Sequence, residues 1–233
     1  MTAGREVLVR CDGVARTFGE GERAVVAVHG VDCVVLAGQR IAVTGPSGSG
    51  KSTLLHLLAG LDAPTHGTVS WPALGTREAL RPGLVGVVFQ GPSLLAPLDV
   101  TENVALPQLL AGAEEADALA GAGRALDRLG LADLAAGELL GELAGKVGQA
   151  QRVAAARVLA GRPRLILADE PTGQLDHPTG TAVVRALLEA AELLGAALLL
   201  TTHDPVIAGL LPIRWAMTDG SLRQGRAVSS CSA

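Results

Sequence analysis

Hydrophobic residues along this chain follow two patterns, short runs typical of strands and longer stretches with helical spacing. The first third contains short runs rich in Val and Ile, separated by turn residues such as Ala37-Gly38, and this pattern predicts strands. The runs lie at Val7 to Val9, Ala24 to Val28, Val31 to Leu36 and Arg40 to Thr44, and two more follow at Thr68 to Trp71 and Val85 to Phe89.

The pattern changes between about Pro92 and Leu159, where Leu, Ala, Glu and Arg recur at helical spacing. Helices are expected at Glu114 to Leu129, Gln149 to Leu159 and, further on, Thr179 to Leu194. Strand-like runs return at Leu165 to Ala168 and Ala197 to Thr201. Because strands alternate with helices, a parallel α/β core is favoured, and the helical middle, about residues 92–158, is predicted to be an insertion into it.

Composition limits the class of protein. Of the 233 residues, 48% are hydrophobic and 18% charged, which is typical of a globular chain that can bury a sizeable core. Only 2% are aromatic, so the core is expected to be aliphatic. The formal net charge of −4 at pH 7 gives no electrostatic reason to expect a nucleic-acid partner.

Cysteine usage and hydropathy predict a cytoplasmic location. Cys11, Cys33 and Cys231 are odd in number and lack metal-ligand spacing, which favours reduced thiols. The N-terminal residues mix acid and base and do not resemble a signal peptide. The longest apolar stretches, Leu193 to Leu200 and Val206 to Leu211, are too short to cross a bilayer, so a membrane role is expected only through a partner.

A glycine- and serine-rich loop follows the predicted strand that ends at Thr44. Gly45-Pro46-Ser47-Gly48-Ser49-Gly50-Lys51-Ser52-Thr53 fits the phosphate-loop pattern G-x-x-x-x-G-K-[ST]. Backbone N–H groups of such a loop, together with the N-terminal end of the following helix, bind phosphate. Lys51 is expected to reach the β- and γ-phosphates and the Ser52 hydroxyl to bind Mg²⁺. The alternative, an ordinary Gly/Ser loop, is disfavoured because a strand precedes the pattern and a helix-like run follows it.

Two carboxylates end the apolar run that begins at Leu165. Asp169 at the end of a strand beside the phosphate loop is placed to hold the Mg²⁺ shell, and Glu170 to polarise a water for attack on the γ-phosphate. An Asp-Glu pair after an apolar run is often only a solvated strand end. The phosphate loop makes the functional interpretation the stronger one.

Two further polar residues follow predicted strands. His203 comes just after the run from Ala197 to Thr201, at the sheet edge where parallel strands bind ligands, and a γ-phosphate contact is favoured over a structural role. Gln90 follows Val85 to Phe89, so it too is expected at the sheet edge where parallel strands bind ligands. Its amide has little chemistry of its own, so its position alone leaves its role open.

Several stretches in a fixed order resemble the nucleotide-binding domain of ABC transporters, and among these the ATPases of the lipoprotein-releasing, macrolide-export and cell-division type. The resemblance runs from about Val7 to Leu222. It is carried by ARTFGEGE, GPSGSGKST, VVFQGPSLLAPLDVTENVALP, QAQRVAAAR, LILADEPTGQLD and TTHD. It implies an α/β P-loop core with a mostly parallel sheet, an N-terminal antiparallel β portion and an inserted helical subdomain, all in one domain spanning residues 1–233.

The resemblance also implies roles that residue chemistry alone does not assign. Phe18 takes the place of an aromatic residue that stacks on adenine, and Gln90 that of a glutamine that senses Mg²⁺ and the attacking water and links the site to the membrane subunit. Asp176 resembles an aspartate at the dimer interface. The implied ligands are ATP and Mg²⁺. The implied partners are membrane-spanning transporter subunits and a second ATPase subunit, with the chain peripheral on the inner face of the cell membrane.

One motif departs from the family pattern. The family signature is Leu-Ser-Gly-Gly-Gln, whereas ungapped counting from Arg152 places Gly145, Lys146, Val147, Gly148 and Gln149 there. A two-residue insertion would instead align Leu143-Ala144-Gly145, again without the serine. In either alignment the loop that caps the partner's ATP is altered, so slow hydrolysis by a homodimer is predicted.

Other functions within the same family remain open at this point. The favoured function is an ATP-binding and hydrolysing subunit that energises separate membrane-spanning subunits. The alternatives are an ATP-dependent regulator of a membrane-anchored cell-wall or cell-division complex, and a catalytically weakened half of a heterodimeric ATPase pair. Soluble members that act on nucleic acid or ribosomes usually carry long coiled-coil insertions or tandem domains, and neither is present. Cargo is chosen by other subunits.

Overall fold

The computed structural model describes residues 5–91, 93–136, 147–173 and 175–227 of the chain. Within these residues, six strands form one sheet and three form a second. The six strands, in their order across the sheet, are β5 (Val85–Val88), β6 (Leu165–Asp169), β7 (Ala197–Thr202), β3 (Arg40–Thr44), β8 (Ile213–Thr218) and β9 (Ser221–Ala227). The first five strands in that order pair in parallel, whereas β9 pairs antiparallel with β8.

The central strands are buried on both faces, which explains why their sequences are continuous apolar runs. All five residues of β6 are buried. Its alternate residues divide between two cores, with Leu165 and Leu167 packing in one and Ile166 and Ala168 in the other. The predicted α/β core with a mostly parallel sheet is confirmed.

The second sheet covers one side of the phosphate-loop helix, α1 (Lys51–Leu58). It consists of β2 (Val25–Leu36), β1 (Val7–Phe18) and β4 (His66–Ser70), with β1 in the middle and both pairs antiparallel. Leucines of α1 share a core with apolar residues of β1, β2 and the large sheet. The predicted N-terminal antiparallel portion is therefore present.

The strand lengths predicted for this region were wrong. β1 runs to Phe18 rather than ending at Val9, and the two runs expected between Ala24 and Leu36 are one strand, β2. Solvent-facing polar residues such as Asp12 and Asp32 interrupt the apolar pattern of these half-exposed strands. Register shifts along the β1–β2 pair break the alternation further.

Between β5 and β6, the described residues form three α-helices that pack on one another: α2 (Val100–Leu110), α3 (Glu115–Arg128) and α4 (Val147–Ala160). Their inward residues share a core with one face of the large sheet and with α5 (His177–Leu194). A short helix, α6 (Pro205–Gly209), follows β7. The helical insertion thus lies against the edge of the sheet formed by β5.

None of the helices in the described part of the chain is long and apolar enough to cross a membrane.

Candidate functional site

The phosphate loop connects β3, a central strand of the large sheet, to α1. Gly45 and Gly50 are required by close backbone contacts, since an added Cβ would lie 2.1 Å from the carbonyl oxygen of Met217 and of Ala27, respectively. Gly50 is the N-cap of α1 in a left-handed conformation (φ 96°), with no side-chain cap on the helix. The first N–H groups of α1 are thus left to bind an anion.

Lys51 lies inside this loop with only 4% of its side chain exposed. Its Nζ donates to the carbonyl oxygens of Gly45 (3.0 Å) and Pro46 (2.9 Å) and lies 3.4 Å from Oε1 of Glu170. A buried ammonium beside a phosphate-sized loop is suited to neutralise phosphate charge.

Asp169 lies at the end of β6, buried among hydroxyl groups. Its Oδ1 accepts from Ser52 Oγ at 2.9 Å and from Thr201 Oγ1 at 2.7 Å. A hydroxyl and a carboxylate oxygen side by side are the hard donors that Mg²⁺ prefers near phosphates. Ser52 and Asp169 therefore fit the ion expected from the sequence.

Glu170 is oriented by its backbone and by two neighbouring side chains, Lys51 and His203. Its φ of 39° is unusual for a residue other than glycine, and its N–H donates to Thr201 Oγ1 at 2.9 Å. Its Oε2 lies 3.3 Å from Nδ1 of His203, and its Oε1 faces Lys51. The strand ends thus bring these three side chains together.

Gln90 reaches the same place from β5. An added Cβ at Gly173 would lie 3.3 Å from Nε2 of Gln90 and 3.5 Å from Oε2 of Glu170, so both side chains flank this glycine. Gln90 and Glu170 also line one cleft of about 240 Å³ with the phosphate loop, which contributes Ser47, Gly48, Gly50, Lys51, Ser52 and Thr53. Ser49 is buried in the loop.

Phe18 forms an exposed aromatic platform at the end of β1. It is 44% exposed and pairs with Val25, two residues before Ala27, which lines the cleft. Arg16 holds one face of the ring, with its guanidinium carbon 4.5 Å from the ring centroid, and Arg16 Nε bonds Asp62 at 2.8 Å. The opposite face of the ring is suited to stack on a base.

Asp176 caps α5 rather than entering the cleft. Its Oδ1 accepts from the N–H of Thr179 at 2.8 Å, and hydrogen bonds from the backbone and side chain of Thr179 lower its pKa. It lines a smaller cavity of about 170 Å³ with His177, His203 and Asp204. Its predicted place in a dimer interface stays a prediction.

The altered signature lies only partly within the described residues. Gly145 and Lys146, and the alternative Leu143-Ala144-Gly145, lie outside them. Val147, Gly148 and Gln149 form the first turn of α4, two residues earlier than the helix start predicted from the sequence.

Sequence reasoning missed the residues that position the site. Thr201 bonds both carboxylate residues, and the sequence signal for it was its place at the end of the next strand. Arg16 and Asp62 are 46 positions apart, and no local pattern indicated their contact. Gln151, whose Nε2 donates to the carbonyl of Phe89 at 2.8 Å, was likewise not singled out.

The phosphate loop on a central parallel strand, with carboxylates on a nearby strand and helices inserted beyond β5, defines a P-loop nucleoside triphosphatase. Residues 28–173 match the family model described as ABC transporter. The chain belongs to this family. It is an ATP-binding and ATP-hydrolysing subunit of an ABC transporter.

Relatives extend the similarity over nearly the whole chain. The lipoprotein-releasing system ATP-binding protein LolD of Nitratidesulfovibrio vulgaris is 40% identical over 230 residues, covering 95% of this chain and 97% of that protein. LolD of Gluconobacter oxydans is 41% identical over 221 residues, covering 92% and 94%. Both belong to the type that the sequence resembled.

Solved structures agree with the fold. The dimeric ATP-binding cassette MJ0796, in a post-hydrolysis state bound to ADP and Pi, has a TM-score of 0.83 and 32% identity, and covers 95% of this chain and 100% of that one. The cassette cbiO1 of Clostridium perfringens, part of the ABC transporter complex cbiONQ, has a TM-score of 0.80 and 26% identity, covering 94% and 88%. Cassettes of this family dimerise and work with membrane subunits.

Proposed function

We propose that this chain binds Mg²⁺ and ATP in the cleft at the ends of β3, β6 and β7 and hydrolyses ATP there. The observation that carries the proposal is the position of buried Lys51, 3.4 Å from Glu170 within the phosphate loop. The loop amides and Lys51 bind the phosphates, and Ser52, Asp169 and Gln90 are the residues that would hold Mg²⁺. When bound, the ion would supply charge neutralisation at the transferred phosphoryl group.

In the hydrolytic step, Glu170 accepts a proton from the attacking water and His203 stabilises the γ-phosphate. The Thr201 hydroxyl donates to the carboxylate of Asp169 and accepts from the backbone N–H of Glu170, and so holds both residues in place. Phe18 stacks on adenine while Arg16 holds the rear face of the ring. Lys51 compensates the phosphate charge through the transition state.

The Lys51→Ala variant tests the assignment of the phosphate site. Direct titration with Mg²⁺ and ATP is expected to show a large loss of affinity, because phosphate charge is left uncompensated. Arg223→Ala, which removes an exposed positive charge from β9, serves as the charge-matched control and should bind as the unmodified chain does. Unchanged ATP affinity in Lys51→Ala would contradict the assignment.

We further propose that a membrane-spanning subunit docks in the groove between β5 and the inserted helices. This groove of about 470 Å³ is lined mainly by apolar residues, among them Val87, Leu106, Pro107, Leu110 and Val158. Leu110 at its rim is 68% exposed. A short amphipathic helix from a membrane subunit fits such a groove, which would place this chain on the inner face of the membrane.

Lipoprotein release is the transport function that the LolD relatives support for this chain. Co-purification with membrane subunits tests both parts of the proposal. Leu110→Asp should lose those subunits while its ATP affinity is unchanged, and Leu193→Asp, an equally drastic change at a leucine of α5 that is 62% exposed, should retain them. Retention of the subunits by Leu110→Asp would contradict docking in the groove.

A further inference from the structure

A crevice bordered by three arginines lies between α3, the end of α4 and the end of α5. Its volume is about 230 Å³, and none of its lining residues belongs to the ATP cleft. Arg124, Arg128 and Arg162 line it, and all three are exposed. The remaining lining is largely small or aliphatic and includes Gly121, Ala125, Leu159, Ala160 and Ala190. The crevice therefore presents three cations around an apolar floor.

These three guanidinium groups have no anionic partner within the described residues. No described carboxylate lies within 4.0 Å of them, not even Glu189, which lines a neighbouring hollow together with Arg128. Other arginines of the inserted helices are engaged, since Arg152 and Arg157 both donate to backbone carbonyl oxygens. The arginines at the crevice are thus left to bind an anion supplied by another molecule.

Local structure does not explain Arg124 or Arg162. The end of α3 favours a positive charge at Arg128, but Arg124 lies four residues earlier on the same face, where like charges repel. Arg162 follows α4 with a φ of 51°, in the left-handed region that glycine adopts without a steric penalty. A bound anion accounts for arginine at these positions, whereas the stability of the helices does not.

The crevice adjoins the groove proposed for the membrane subunit. Pro107 and Val158 line the groove, and the residues that follow them, Gln108 and Leu159, line the crevice. A subunit docked in the groove would hold the crevice near the membrane surface. Leu193, which also lines the crevice, is 62% exposed. An exposed leucine beside arginines suits an anionic lipid, which offers hydrocarbon next to a negative headgroup.

We propose that this crevice binds the phosphate headgroup of an anionic phospholipid at the inner face of the membrane. The three arginines bind the phosphate oxygens, and Leu193 contacts the first part of an acyl chain. This site rests on the proposed docking of a membrane subunit in the adjoining groove. Because the whole chain carries a net charge of −4, an anionic membrane repels most of its surface, and the local arginines determine which face turns to the lipid.

Flotation of the purified chain with vesicles tests the proposal without a membrane subunit. At low salt, vesicles of equal parts phosphatidylglycerol and phosphatidylcholine should carry the chain, and phosphatidylcholine vesicles should not. The double variant Arg124→Gln, Arg128→Gln should bind the anionic vesicles roughly 25-fold more weakly, since each basic residue at an anionic surface contributes about fivefold. Arg10→Gln with Arg223→Gln removes two exposed charges from β1 and β9 and is the charge-matched control, which should bind nearly as the unmodified chain does.

Two further variants separate lipid binding from folding and from subunit docking. Arg162→Gly relieves the left-handed backbone, so its melting temperature should not fall, while vesicle binding weakens about fivefold. Leu193→Asp should weaken vesicle binding and still retain the membrane subunits. Retention of the subunits by Leu110→Asp would contradict docking in the groove, whereas absence of vesicle binding would overturn the lipid site alone.

Inorganic phosphate and the membrane subunits supply the remaining outcomes. The proposal predicts that inorganic phosphate binds too weakly to compete with the vesicles. Tight phosphate binding that Arg124→Gln, Arg128→Gln abolishes, without vesicle binding, would assign the crevice to a free anion and overturn the proposal. Loss of the membrane subunits from that double variant in lipid-free detergent would assign the crevice to the partner protein instead. Equal vesicle binding by the double variant and its control would also overturn the proposal.

Discussion

At the residue scale, Phe18 gives a prediction that distinguishes stacking on the base from a role in the hydrophobic core. Phe18→Ala should weaken ATP binding by roughly 1–3 kcal/mol, the range for a base stacked on an aromatic side chain. Discrimination between ATP and GTP should be modest, because a ring face makes few base-specific hydrogen bonds. Titration with both nucleotides measures this, and an unchanged dissociation constant would show that Phe18 does not bind the base.

The Arg16→Ala variant, compared with Phe18→Ala, tests the same stacking arrangement. Arg16→Ala should weaken ATP binding less than Phe18→Ala does, and should have no effect when Phe18 is already alanine, since Arg16 contacts the ring. Tripolyphosphate, which lacks the base, should bind all these variants equally.

The residues that could be predicted were those set by topology. Lys51, Asp169, Glu170 and His203 converge because each lies at or beyond the carboxyl end of a strand of one sheet, and the carboxyl ends of parallel strands share an edge. Arg16 could not be predicted, because its partner Asp62 is distant in sequence. Contacts between distant side chains depend on the finished fold.

At the element scale, α2 is the helix that the sequence predicted least well. The spacing of apolar residues in this region indicates helix but gives no boundaries for it, and Pro107 lies inside α2. The structure shows a capping box in which Asp99 accepts from the N–H of Glu102 at 2.7 Å and Glu102 accepts from the N–H of Asp99 at 2.8 Å. The start of α2 was therefore encoded by a local pattern that periodicity did not reveal.

Loss of this cap should be measurable. Asp99→Ala is expected to lower the free energy of unfolding by about 0.5–2 kcal/mol, the usual range for an N-cap. Asp117→Ala, at an exposed position of α3, is the control and should change it little. Chemical denaturation compares the two, and equal stability of both variants would mean that the cap does not stabilise α2.

At the scale of the whole molecule, the altered signature bears on how two copies work together. Lys146 stands where the family pattern has serine, and Val147 where it has glycine, so the partner's phosphate would meet a bulkier and less flexible loop. The side chains proposed to hydrolyse ATP, Lys51, Glu170 and His203, lie together in the described structure. A homodimer is therefore expected to hydrolyse ATP slowly, and a partner with an intact signature to raise the rate.

The variant carrying Gly145→Leu, Lys146→Ser and Val147→Gly restores the pattern. Its ATPase rate should greatly exceed that of the unmodified chain, with ATP affinity of the isolated subunit unchanged. Equal and brisk rates would show that Lys146 replaces the serine adequately and that no second ATPase is needed.

The central claim is that Glu170 drives ATP hydrolysis in a dimer closed by ATP. The most direct test measures phosphate release by the Glu170→Gln variant, together with its size-exclusion chromatography in the presence of ATP. The amide keeps the shape of the carboxylate but cannot take the proton from water. The account predicts that Glu170→Gln binds ATP, elutes as a dimer and releases phosphate far more slowly than the unmodified chain, whereas the exposed control Glu189→Gln releases it normally. Undiminished phosphate release by Glu170→Gln would contradict the account.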